Sequence, residues 1–164
     1  MAQVISLSQV KPIVQKLRAK DKTIVLATGV FDLLHTQHRK FLLAAKQVGD
    51  TLFVGVETDA RVKKLKGSER PVWKLPKRLE QLAKLSLVDY VFALPEQFTR
   101  FQDHEAFIAA IRPDVLAISG HTSHQAVKQR LVEQYGGKLQ VVLPYNPQVS
   151  TSQLIRRKRR TLAS

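Results

Sequence analysis

The chain of 164 residues contains no cysteine, so neither a disulfide nor a thiolate metal site can form, and a reducing compartment suits it. No apolar segment approaches the ~20 residues that a membrane-spanning helix needs. Residues 1–6 also lack the basic-then-apolar pattern of a secretion signal, so a cytoplasmic location is expected. Acidic residues are scarce, with 13 Asp and Glu against 27 Lys and Arg and a net charge of +14. That excess attracts polyanions, among them nucleotides, nucleic acid and acidic membrane surfaces, without choosing between them. Length and composition fit one globular domain over residues 1–164, with a basic tail at 156–164 that offers a possible nucleic-acid contact.

Apolar runs at 23–28, 51–56, 88–94, 115–118 and 139–143 read as strands, and segments of helical periodicity alternate with them. This is the mark of an α/β protein, a Rossmann-like doubly wound sheet of five parallel strands. Ser6 and Gln9 have capping-box spacing before the first helix, Asp59 is placed to cap a short basic helix through Lys66, and Pro76 suits a helix's first turn. Ligands of such sheets sit outside the carboxyl ends of the strands, where the loops hold the unusual residues of this chain.

The stretch that organises the rest runs from 23 to 41. Its apolar strand breaks at Gly29, offers the carboxylate of Asp32 and enters a helix through His35-Thr36-Gln37-His38. A helix N-terminus fed by a strand receives anions, phosphate above all. Two histidines three apart share one face of the first turn, where they can donate to a common phosphoryl oxygen. The loop 66–73 adds Lys66, Arg70 and the single tryptophan, Trp73, which either packs the loop or stacks on a base or acceptor. His121 and His124 repeat the histidine spacing. Four imidazoles suit Zn²⁺, Cu²⁺ or Ni²⁺, but phosphate and base contacts account for the same placement, and no metal site is assigned. His104 falls on a helix expected to be exposed and receives no role.

The run Gly29-Val30-Phe31-Asp32-Leu33-Leu34-His35-Thr36-Gln37-His38 resembles the G-x-F-D-x-x-H-x-G-H signature of the cytidylyltransferase-like nucleotidyltransferases. Further similarities follow in order: Lys66-Gly67-Ser68-Glu69-Arg70-Pro71-Val72, Val88-Asp89-Tyr90-Val91, Ile111-Arg112-Pro113-Asp114, and Ser150-Thr151-Ser152-Gln153-Leu154-Ile155. The set is most similar to the adenylyltransferase domain of bacterial ADP-heptose synthases. Two positions depart from the family pattern: Gln37 stands for a glycine and His121, after Gly120, for an aspartate.

The resemblance implies transfer of AMP from ATP to a phosphorylated sugar or polyol with release of pyrophosphate, Mg²⁺ as the ion, and a homodimer. His35, His38 and Lys66 would be catalytic. Gly29, Val30, Phe31, Asp32, Gln37, Arg70, Gly120, His121, Ser150, Thr151 and Ser152 would hold the nucleotide, and Asp59, Trp73 and Arg78 the acceptor. A cytidylyltransferase using CTP is the nearest alternative. A nucleotide- or nucleic-acid-binding protein without turnover is the alternative from another class.

Overall fold

A computed structural model describes residues 1–144, 146 and 156. Six parallel strands form one sheet: β1 (Gln3–Val4), β2 (Ile24–Gly29), β3 (Thr51–Val56), β4 (Tyr90–Ala93), β5 (Val115–Ser119) and β6 (Lys138–Leu143), in the order β1-β4-β3-β2-β5-β6. The five expected strands are all present, and the sheet gains a sixth. Strand β1 joins the β4 edge through only two residues, too few to leave a periodic signal in the sequence.

The order reverses at β2, which pairs with β3 on one side and β5 on the other. The first four residues of β2 are apolar because both faces of the strand are covered there. Ile24 and Leu26 join the cluster under α1 (Leu7–Arg18), α5 (Phe101–Ile111) and α6 (Gln125–Gln134). Val25 and Ala27 join the opposite cluster under α2 (Thr36–Lys46) and α4 (Leu75–Ala83). Every residue from Ile24 to Ala27 is buried.

The remaining helix, α3 (Asp59–Lys66), lies between β3 and α4 in the chain. The expected cap shifts by one residue. Thr58, not Asp59, is the N-cap, its hydroxyl accepting from Arg61 N at 3.4 Å. Asp59 becomes the first helical residue and keeps its carboxylate for a tertiary partner. At the start of α1, Gln9 Oε1 accepts from Ser6 N at 2.8 Å, as the spacing predicts. The triad Ser150, Thr151 and Ser152, and the basic run apart from Arg156, lie outside the described residues.

Candidate active site

The loop joining β2 to α2 is tightly folded and held from below. Phe31 and Leu33 both adopt left-handed backbone, with φ of 50° and 49°, a conformation that costs non-glycine residues about 1–2 kcal/mol each. A side chain at Gly29 would place its Cβ 3.0 Å from the Phe31 ring, so glycine there lets that ring tuck in. Asp32 holds the turn. It is 1% exposed, and its carboxylate accepts from Val72 N at 2.8 Å, Trp73 N at 2.9 Å and Arg70 Nε at 3.0 Å. All its reach is spent on the 67–73 loop, so Asp32 organises the site without offering an oxygen to a ligand.

Arg70 is correspondingly pulled inward. Its Nη2 lies 2.9 Å from Asp32 Oδ2 but is not aligned to donate to it. Nη2 is the one buried side-chain polar atom among the described residues with no hydrogen-bond partner. The Asp32 carboxylate beside it compensates the buried charge even without an aligned hydrogen bond. Lys66, at the end of α3, is exposed, yet partial desolvation and the nearby Arg70 charge hold its pKa below the usual value.

The two histidines form the start of α2. His35 is the N-cap, its Nδ1 accepting from Gln37 N at 3.3 Å, while His38 Nδ1 accepts from His35 N at 3.4 Å. Both Nδ1 atoms are therefore unprotonated, which puts the proton of each neutral ring on Nε2. The rings stack with centroids 3.8 Å apart, and Phe31 meets the His38 ring edge-on at 5.5 Å. Burial, then the His35 and Lys66 charges, push the His38 pKa down to about 3, and burial lowers that of His35. The pair thus presents neutral Nε2–H donors. Gln37 is half-buried in the same turn, where its backbone amide fixes the His35 ring.

Arg78 is not an acceptor contact. It is 0% exposed, and it donates to Trp73 O at 3.0 Å, Val30 O at 2.7 Å and Asp59 Oδ1 at 2.8 Å. Its charge, which in the sequence reads as a ligand contact, is consumed in tying the signature loop, the 67–73 loop and α3 together. Asp59 is partly exposed beyond that bond. Gly120 and His121 follow β5, the neighbour of β2. Gly120 N donates to Leu143 O at 2.8 Å, and His121 Nε2 accepts from Asn146 N at 3.0 Å, drawing together the loops after β5 and β6. Among the described residues no three His, Cys, Asp or Glu side chains gather as a metal site.

A second group of charges at the carboxyl edge escapes sequence reading. Glu57 follows β3 directly and pairs with Arg61 at 2.7 Å. The Arg61 guanidinium sits 5.5 Å above the Phe98 ring, and the His104 ring lies against the same ring, tilted by 41° with centroids 4.0 Å apart, so it is half-buried and not on an open helix face. Only the Glu57–Arg61 spacing of four carries a sequence signal. Elsewhere, a mostly apolar groove of about 370 Å³ lined by Met1, Val4, Pro76, Leu79 and Ala83, with the ion-paired Glu80 and Lys84 at its border, lies at the β1 edge. It offers little to hold a phosphate.

Comparison with known proteins points the same way. The family model described as Cytidylyltransferase-like matches residues 26–158. The chain is 39% identical over 126 residues to the bifunctional protein HldE of Syntrophotalea carbinolica, covering 76% of this chain and 25% of that protein. It is 36% identical over 159 residues to the bifunctional protein HldE of Pseudomonas fluorescens, covering 96% of this chain and 32% of that protein. The chain therefore spans a quarter to a third of the length of these relatives. Among solved structures, the lipopolysaccharide core biosynthesis protein from Thermoplasma volcanium superposes with a TM-score of 0.60 at 25% identity, over 76% of this chain and 97% of that one. A pantoate-beta-alanine ligase from Francisella tularensis, at 14% identity and a TM-score of 0.68 over 97% of this chain and 77% of that one, shares the fold.

Proposed function

The chain belongs to the cytidylyltransferase-like family of nucleotidyltransferases, and from that premise we propose that it transfers AMP from ATP to the phosphate of a sugar or polyol. An oxygen of the acceptor phosphate attacks the α-phosphorus in line, the bond to the bridging oxygen breaks, and pyrophosphate leaves. Such a step asks mainly for positioning and for stabilisation of charge on the phosphoryl oxygens. The observation that carries the reading is the stacked pair of neutral imidazoles with Nε2–H donors at the start of α2, beside Lys66.

In this reading His35 and His38 donate to the non-bridging oxygens as negative charge accumulates, and Lys66 and Arg70 neutralise the phosphates. The nucleotide lies along Gly29, Val30, Phe31 and Gln37 and against Gly120 and His121, while Ser150, Thr151 and Ser152 receive the departing pyrophosphate. Asp59 and Trp73 border the acceptor. Mg²⁺ arrives bound to the triphosphate. The preference for ATP over CTP follows the similarity to HldE proteins. A homodimer, a cytoplasmic location and a nucleic-acid contact through the basic tail complete the proposal. The test is to incubate the protein with ATP or CTP, Mg²⁺ and a panel of sugar and polyol phosphates, following pyrophosphate. Release with ATP and at least one sugar phosphate is expected, and silence across the panel overturns the reading.

A further inference from the structure

Two runs that resemble the family, Val88-Asp89-Tyr90-Val91 and Ile111-Arg112-Pro113-Asp114, take no part in the candidate site. Their aspartates lie at the opposite end of the sheet, each one place ahead of a strand: Asp89 before β4 and Asp114 before β5. Asp50 stands in the same place before β3. All three make the same pair of bonds to a neighbouring strand. Asp50 N donates to Thr23 O at 3.0 Å while Asp50 Oδ2 accepts from Thr23 N at 2.8 Å. Asp114 N donates to Ile24 O at 3.0 Å while its Oδ2 accepts from Ile24 N at 2.7 Å. Asp89 N donates to Leu52 O at 3.1 Å while its Oδ2 accepts from Leu52 N at 2.7 Å. Each aspartate thus closes a ring with the residue directly opposite, as the pairings Ile24↔Thr51, Val25↔Val115 and Phe53↔Tyr90 require.

Such rings answer a need that hydrophobic patterning leaves open. In a strand with one wet face, a one-residue slip turns apolar side chains into water, and that fixes the register. Ile24 to Ala27, Leu52 to Val54 and Val115 to Ala117 are buried on both faces, so a slip trades one buried apolar residue for another. The carboxylate instead takes the first amide of the neighbouring strand, and a slip leaves that amide or the carboxylate without its partner. Lys46 Nζ links two of the rings, donating to Asp89 Oδ2 and to Asp50 O, both at 2.6 Å. The β5–β6 pair is the contrast. Gly137 stands opposite Asp114, where a Cβ would lie 2.1 Å from Pro113 O, so no side chain fits. That pair carries a register shift between Ile118 and Ser119, whereas the three pairs with an aspartate ring run without one.

We propose that Asp50, Asp89 and Asp114 are positioning residues that set the register of β2, β3, β4 and β5, and through it the relative heights of the loops at the carboxyl ends. Those loops hold the histidine pair after β2, Glu57 after β3 and Gly120 after β5. A slip of one residue, about 3.3 Å, at the amino end arrives undiminished at the carboxyl end. There a misplacement of about 1 Å already matters to group transfer. Strand β2 is held on both sides, through Thr23 by Asp50 and through Ile24 by Asp114, so either aspartate alone can keep its register. The register does not depend on the proposed transferase reading; its bearing on nucleotide binding rests on that reading.

The test compares the full wild-type chain with Asp50→Ala, Asp114→Ala, the double alanine variant and the double asparagine variant. Asparagine keeps an acceptor oxygen without the charge. Cross-strand nuclear Overhauser contacts report the register, and calorimetry with α,β-methylene-ATP and Mg²⁺ reports the site. Each single variant should keep the wild-type contacts and bind within about twofold, because the other aspartate still holds β2. The double alanine variant should lose its single set of contacts between β2 and its neighbours and bind about tenfold or more weakly, beyond the product of the single effects. The double asparagine variant should behave as wild type, which separates a register role from one of charge. Should the double alanine variant not fold, Asp89→Ala takes its place, with displaced contacts expected between β3 and β4. The proposal is overturned if the alanine variants melt at lower temperature yet keep contacts and affinity, if the double loss is only the product of the single ones, or if asparagine fails as alanine does. Absent nucleotide binding by wild type counts against the transferase reading alone and leaves the cross-strand contacts to decide the register.

Discussion

Because burial, the His35 ring and Lys66 together push His38 down to about 3, its imidazole stays uncharged near neutral pH, and in the proposed transfer it acts through its Nε2–H. A donor aimed at charge that develops only during transfer stabilises the transition state more than the bound substrate. His38→Ala is expected to lower kcat by roughly 10²-fold or more while KM for the nucleotide stays within a few-fold. Steady-state kinetics at varied nucleotide would show this, and a raised KM with intact kcat would make the ring a ground-state anchor. The same ring links stability to pH. In the unfolded chain His38 titrates near 6.5, so between about 6.5 and 3 the unfolded state binds the extra proton. The stability present above pH 6.5 therefore drains away as pH falls toward 3. His38→Gln should lose less stability than wild type between pH 7 and 5, by on the order of 1 kcal/mol after discount for partial exposure, measured by urea unfolding at both pH values.

Among the elements, the 67–73 loop depends most on a single side chain. Asp32 collects Arg70 and the amides of Val72 and Trp73 in a site closed to solvent. Asp32→Ala leaves a buried guanidinium and two amides without their acceptor, a loss of about 3–5 kcal/mol by the scale of broken buried ion pairs. Urea titration should register it, and Trp73, the single tryptophan, reports loosening of the loop through red-shifted emission. Unchanged stability and emission would show the loop is held by other contacts. The signature loop was legible because breakers and histidines stand out between an apolar strand and a periodic helix. The use of its charges was not. Asp32 and Arg78 look in the sequence like ligand contacts, yet Asp32's partners lie 38–41 positions away and Arg78 reaches Asp59 and Val30 across 19 and 48, separations that periodicity does not encode. Thr58 displaced Asp59 as cap for the same reason, since Asp59 is taken by Arg78.

For the whole molecule, the +14 charge predicts that anionic ligands bind more weakly as salt rises. If the basic tail contacts RNA or DNA, log Kd plotted against log salt should be steep, and deleting residues 156–160 should flatten it; an unchanged slope leaves the tail as solubilising charge. The doubly wound sheet was readable in full except for β1, because runs of buried apolar residues repeat between helical segments. The group of Glu57, Arg61, Phe98 and His104 was not, since its members come from separate elements and meet only in the folded chain. That closure has an order built into it. Strand β2 finds β3 across 27 residues but meets the β5 side across 90, and the longer loop adds about 1 kcal/mol of closure entropy. The β2–β3–β4 half can therefore assemble while the far wall of the cleft is still absent. A chain caught at that stage has its signature loop but not the Gly120 side, and so on the proposed reading lacks part of its nucleotide site. On that reading nucleotide acts as a late latch, retarding escape of β5 and β6 from the finished sheet without hastening their arrival.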